Sequence, residues 1–162
     1  MATENSIITR AREQGLTQPG QYAGVVAAGA TKTLTVADHD GFRVDLDTAA
    51  GSVVTLPAAT GSGAKFTFVT TVIATSNSHK VQVANSSDTM AGALLVVDHA
   101  DGTVTGFGTV AAADTITLNR STTGSVKVGE KFVLTDDKAN VWSVSGVVIA
   151  SGTEATPFSA AV

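Results

Sequence analysis

Two short acidic runs carry the side chains in this sequence whose types and spacing come nearest to chemistry. Asp38-His39-Asp40-Gly41, with Asp45 and Asp47 close behind, and Asp98-His99-Ala100-Asp101-Gly102 place carboxylates and imidazoles beside strand-like segments. A calcium loop of the EF-hand kind needs a longer, fixed acidic spacing closed by a bidentate Glu, and neither run has it. A histidine zinc site needs three or four ligands, and His39, His79 and His99 lie far apart in the chain. The ordinary role of Asp and Gly in such runs is to make turns, Asp by bonding nearby backbone and Gly by accepting positive φ. A weak cation site at a subunit contact is the competing reading.

Other catalytic signatures fail in turn. The sequence holds no G-x-S-x-G elbow, no H-E-x-x-H and no Walker loop. Gly61-Ser62-Gly63 lacks the following helix that phosphate binding uses, and reads as a turn. Serine and threonine are abundant, but no base is placed to activate one as a nucleophile. Trp142 and Tyr22 are the candidate platforms for stacking on a sugar, although a lone Trp in N-V-W-S-V-S-G-V-V more often fills a core or an interface. The expectation is a protein that is not an enzyme, with no catalytic residue, cofactor or metal ligand to assign.

The elements that carry these residues are strands. Gly51 to Thr75 reads as strand, punctuated loop, strand: Val53 to Leu56 favour a pleated backbone, Pro57 removes a ladder donor, and Lys65 to Ile73 alternates with period two. That pattern predicts a hairpin-like unit. Strands are expected at 31–36, 42–47, 52–56, 65–73, 80–84, 93–97, 103–107, 115–118, 130–135 and 140–150. Short strands between turn signals, with no helical stretch to cross over between them, predict an all-β fold, a β-sandwich or barrel-like form with a jelly roll among its variants.

Residues 1–30 read differently, as an extended N-terminal arm or linker. Asn5 or Ser6 is placed to cap a short helix through Ile7 to Gln14 ending at Gly15, and Gln18-Pro19-Gly20-Gln21 reads as a turn. A frayed end and an arm laced onto a neighbouring subunit are the two readings. Residues 31–162 form the β domain, within which 34–84 and 95–145 echo one another. Leu34–Gly41 resembles Leu95–Gly102, Val54-Thr55-Leu56 resembles Ile116-Thr117-Leu118, and Thr60-Gly61-Ser62 before Lys65-Phe66 resembles Thr123-Gly124-Ser125 before Lys131-Phe132. A spacing of about 60 residues suits a duplicated half-sandwich better than a solenoid, whose units run about 20–50. Chance recurrence in a chain rich in Gly, Thr and Val is the alternative.

Composition narrows the partners. The 162 residues carry a mild net charge of −4 with both signs scattered, which gives no electrostatic footprint for nucleic acid. The chain has no cysteine, so packing rather than disulfides must hold it. Aromatics are only 5% of residues, so the core is expected to rest on small side chains and to draw help from neighbouring copies. There is neither a run of about 18 apolar residues nor a basic-then-apolar start, so no membrane span and no signal peptide is expected.

The run V-V-T-L-P-A-A-T-G-S-G-A-K-F-T-F-V, the following S-N-S-H-K-V-Q-V-A-N-S-S-D-T-M-A-G and the tail V-W-S-V-S-G-V-V-I-A-S-G-T-E-A-T-P-F-S-A together resemble small structural proteins of tailed bacteriophages. The resemblance spans roughly Asp40 to the C-terminus. It implies a virion component without enzymatic activity, a head decoration or cement protein on the capsid exterior, assembled in the bacterial host cytoplasm. Its partners would be the major capsid protein and two further copies in a homotrimer, with no direct contact to nucleic acid or membrane. The L-P-A-A-T-G-x-G module is also similar to phage fibre and spike proteins, which implies the alternative of a module binding host surface glycan. No site residues are carried over from either family.

Overall fold

The computed structural model describes residues 22–162, so the expected helix at 7–14 and most of the expected arm lie outside the described residues. Twelve strands follow: β1 (Val25–Ala27), β2 (Thr31–Thr33), β3 (Arg43–Leu46), β4 (Val53–Thr55), β5 (Lys65–Thr70), β6 (His79–Gln82), β7 (Thr89–Asp98), β8 (Val104–Gly108), β9 (Thr115–Leu118), β10 (Lys131–Lys138), β11 (Val141–Ala150) and β12 (Phe158–Ser159). One helical turn, α1 (Val36–His39), separates β2 from β3. The fold is all-β, with two mixed sheets packed face to face as a β-sandwich. Their orders are β1-β3-β5-β10-β11-β7-β8 and β12-β9-β6-β4-β2.

The first six strands do not form hairpins. The chain crosses from one sheet to the other at every step, so that β1, β3 and β5 lie parallel in the larger sheet and β2, β4 and β6 lie parallel in the smaller. This is a short two-sided coil of the kind solenoids use, wound more tightly than the spacing of the sequence echo. The hairpin-like unit expected at 51–75 is corrected accordingly: β4 and β5 sit in opposite sheets. Pro57 does end the first strand, but residues 56–64 then carry the chain across the sandwich instead of folding it back. Beyond β6 the strands pair mostly antiparallel, β10 joining β5 to β11, while β11 and β7 run parallel over ten residues.

Two boundaries also move. The expected division at Ala30 falls inside the fold, because β1 pairs with β3 and the amide of Ala28 donates to Asp45 O at 2.9 Å. The strand expected over 31–36 stops at Thr33. Thr35 caps α1, its Oγ1 accepting from the Asp38 amide at 3.2 Å, which satisfies one of the free donors of a helix start. The echoing segments Leu34–Gly41 and Leu95–Gly102 therefore differ in conformation, the first turning through α1 and the second ending β7.

The few aromatic residues are concentrated rather than spread. Phe66, Phe68, Phe132 and Trp142 are all fully buried, with Phe68 stacked on Phe132 at 5.1 Å between ring centroids and Phe66 tilted on Trp142 at 5.6 Å. Leu34, Leu56, Val81, Ile116 and Leu118 face them from the smaller sheet side. Each large side chain removed from water in this way contributes roughly 1.5–3 kcal/mol. Where β10 and β11 cross this core the backbones approach closely: a Cβ on Gly146 would overlap the backbone of Phe132, so no other residue fits without displacing a strand.

Candidate functional site

Four of the six acidic residues that the sequence singles out, Asp40, Asp47, Asp98 and Asp101, accept from backbone amides, whereas Asp38 accepts from the Thr35 hydroxyl and Asp45 from the Arg43 guanidinium. Asp40 accepts from the Lys65 amide at 2.8 Å, Asp47 from the Gly29 amide at 2.8 Å, and Asp45 pairs with Arg43 through two bonds at 2.6 and 2.8 Å. His39 Nδ1 accepts from the Thr35 amide at 3.1 Å and its ring meets Phe42 edge-on. In the second run, Asp98 accepts from the Ala100 amide and Asp101 from that of Thr103 at 2.8 Å. The bonds from Thr103 hold Asp101 below the usual carboxylate range. Only the bonds of Asp98 and Asp101 are the local, turn-making kind expected of Asp beside Gly; those of Asp40 and Asp47 reach 25 and 18 positions along the chain and tie separate segments together. Among the described residues, no three His, Cys, Asp or Glu side chains gather in a way that would hold a metal ion.

His79 behaves differently from the other two histidines. It is fully buried, its Nδ1 accepts from the Ser52 amide at 3.1 Å, and its Nε2 lies 2.8 Å from Val72 O. An amide can only donate to an unprotonated Nδ1, so Nε2 carries the hydrogen and donates to the carbonyl. Burial pushes the imidazole below its ordinary pKa, against the opposing pull of the Val72 carbonyl. The ring is a neutral brace between the start of β4 and the loop after β5.

Two buried carboxylates that sequence reasoning passed over each gather a cluster of backbone donors. Asp136, in β10, is fully buried and receives the amides of Thr60, Gly61 and Ser62 at 2.8–3.1 Å, with the Ser62 hydroxyl at 2.7 Å and the Thr60 hydroxyl at 3.2 Å. Burial alone would raise its pKa, but these donors, led by Ser62, outweigh it and bring the group down to about 2. Glu130, just before β10, receives the amides of Ser125, Val126 and Lys127, each at 2.7 Å. Here burial prevails over the amides and the pKa is raised. Three successive N–H groups turned to one point form a nest, a backbone arrangement suited to an anion, and in both loops the anion is the protein's own. The signal in the sequence was the echo itself, since both nests begin in or just after a T-G-S run.

Two further buried acids extend the pattern. Asp88 accepts from the Ala59 amide at 2.9 Å, and Asp114 accepts from the amides of Ala161 and Val162 at 2.8 and 3.2 Å, tying the end of the chain to β9. Trp142, one of the two candidate sugar platforms, is completely enclosed, while Tyr22 is 36% exposed at the edge of the described residues. A shallow, open hollow of about 420 Å³ lies beside Ala30, Gly51, Asn77 and Lys80, with Lys80 as its one charged wall.

What the molecule presents outward is a sheet face. Alternation and register place Ala93, Leu95 and Val97 of β7, Val147 and Ile149 of β11, and Val104 of β8 on the outer side of the larger sheet. Leu95, Val104 and Val147 are 45%, 55% and 43% exposed, an apolar surface with Lys131 registered beside Val147. Contiguous exposed apolar surface of this kind marks contact with another macromolecule more often than solvent. Among the described residues no helix is long and apolar enough to cross a membrane. Comparisons of the chain with protein-family models, curated proteins and solved structures find no match.

Proposed function

We propose that this chain is a structural component of a tailed-phage particle that decorates the outside of the capsid and bridges capsomers, sitting as homotrimers on the major capsid protein and acting without catalysis. The observation that carries the reading is the conjunction of an interior pinned by buried carboxylates with an uncovered apolar sheet face on Leu95, Val104 and Val147. A cementing protein must transmit force between neighbours without deforming, and loops fastened to strands by several charge-assisted bonds meet that need. The exposed outer face offers the contact, and stable contacts of this type bury at least about 1,200 Å² in total.

The alternative, a fibre or spike module binding glycan, is supported by the resemblance of the L-P-A-A-T-G-x-G run but loses its main platform, because Trp142 is in the core. The deciding experiment mixes the purified protein with phage heads stripped of it. Saturable co-sedimentation at many copies per head, reduced by Leu95→Asp and Val147→Asp together, is the expected result. Binding to host polysaccharide with none to heads would overturn the proposal.

A further inference from the structure

The larger sheet ends at β8, and among the described residues nothing pairs with the far side of that strand. Proteins usually blunt such an edge with Lys, Pro, a bulge or a covering segment, because its free N–H and C=O groups invite another strand. β8 reads Val104-Thr105-Gly106-Phe107-Gly108 and carries none of these charges or breakers. Which groups face outward follows from its ladder with β7. The Asp98 amide donates to Thr103 O at 2.8 Å and the Thr109 amide to Gly92 O at 2.9 Å, with Val96 opposite Thr105 and Leu94 opposite Phe107 between them. Bonded and non-bonded pairs alternate along an antiparallel ladder. Thr105 and Phe107 therefore turn their backbone groups to β7, and Val104, Gly106 and Gly108 turn theirs outward, all three exposed.

We propose that β8 pairs antiparallel with β8 of a second copy, Gly106 facing Gly106 across a two-fold axis, so that two larger sheets join into one. The outward donor and acceptor groups are spaced symmetrically about Gly106, which is what an isologous contact requires. In that register Val104 of each copy lies opposite the second copy's Gly108, a large side chain beside none. Charge selects the same direction. Asp98 and Asp101 sit at the turn that opens β8, while residues 109–112 past its other end are uncharged. Antiparallel pairing sets each acidic turn against a neutral one, whereas parallel pairing would bring the acids together. The joined sheet also makes the two apolar faces continuous. A two-fold contact cannot close a trimer; only this consequence rests on the capsid reading, in which it would tie neighbouring trimers across local two-fold axes of the shell.

The absence of cysteine from the chain makes the test direct. Gly106→Cys places two thiols across the axis at a Cα separation of about 5.5 Å, within disulfide range. Under mild oxidation this variant should form covalent dimers at least about tenfold faster than Val128→Cys, at an exposed loop position away from the edge, because pairing raises the effective thiol concentration. The wild-type protein should double in mass with concentration in sedimentation, and Gly106→Pro, which removes one outward donor while leaving the ladder to β7 intact, should abolish that doubling. If that variant fails to fold, the cysteine pair still decides. Equal crosslinking rates for the two cysteines overturn the proposal. Protection of the Val104, Gly106 and Gly108 amides from hydrogen exchange in a particle that does not double overturns it in favour of residues 1–21 as the occupant. Loss of head binding by Gly106→Pro without any self-crosslinking of Gly106→Cys would assign the edge to the capsid protein, and head binding unchanged by either variant leaves the capsid reading standing.

Discussion

Glu130 immediately precedes β10 and Asp136 lies within it; both are buried and each receives three consecutive amides, yet their proton affinities move in opposite directions. Two things differ, the hydroxyl donors that reach Asp136 and the heavier desolvation of Glu130. Asp136 adds two hydroxyl donors from Thr60 and Ser62, whereas among the described residues Glu130 receives backbone donors alone. Equal backbone nests thus yield an anion firmly held in one loop and one that retains its proton more readily in the other. The number of donors, set against the cost of desolvation, decides the sign.

The largest effect that would test this contrast is Asp136→Ala, which leaves three amides and two hydroxyls without their acceptor and should cost about 3–5 kcal/mol in urea unfolding. A loss no greater than that of Glu130→Ala would break the comparison. Next comes acid. Because the folded-state pKa of Asp136 lies near 2 and the ordinary value is 3.8, its contribution is complete above pH 3.8 and disappears as the pH falls from there through about 2. Asp136→Asn should flatten that limb of a stability profile measured by thermal melting.

A smaller and more pointed change is Ser62→Ala. Removing the leading hydroxyl should move the Asp136 pKa upward and cost about 1 kcal/mol, read by NMR titration of the side-chain carboxyl alongside urea unfolding. An unmoved pKa would assign the difference to burial rather than to the hydroxyls. Smallest is Glu130→Gln, a mimic of the protonated acid. The raised pKa means that the Glu130 contribution is full below 4.5 and is lost as pH rises through the folded value, so the variant should match the wild type in acid and equal or slightly exceed it, by under about 1 kcal/mol, at pH 7. A large loss at neutral pH would show that the ionised form holds the loop at Ser125–Lys127.

The all-β class was legible because alternation in segments such as Lys65–Thr70 and Val141–Ala150 survives any choice of partner. For the same reason the topology was not: inward and outward residues alternate identically in a hairpin and in a coil that changes sheets, and nothing in Val53–Leu56 says which neighbour it will meet. β1 and β12 are three and two residues long, too short to show a period. Asp136 and Glu130 looked like ordinary polar residues near the ends of a strand, since their partners lie in loops whose path only the tertiary fold defines. The repeated T-G-S marked both loops, while the change from strand to α1 after Thr33 shows how little the neighbouring matches constrain the backbone.

The bonds that close the loop at Thr60–Ser62 reach across about half the molecule's length in sequence, with 75 positions separating Gly61 from Asp136. During synthesis the coil of β1 to β6 must therefore wait, its crossing loop unfastened, until β10 has emerged from the ribosome. A chain interrupted before that point would leave the amides of Thr60, Gly61 and Ser62 without the carboxylate that receives them in the folded protein.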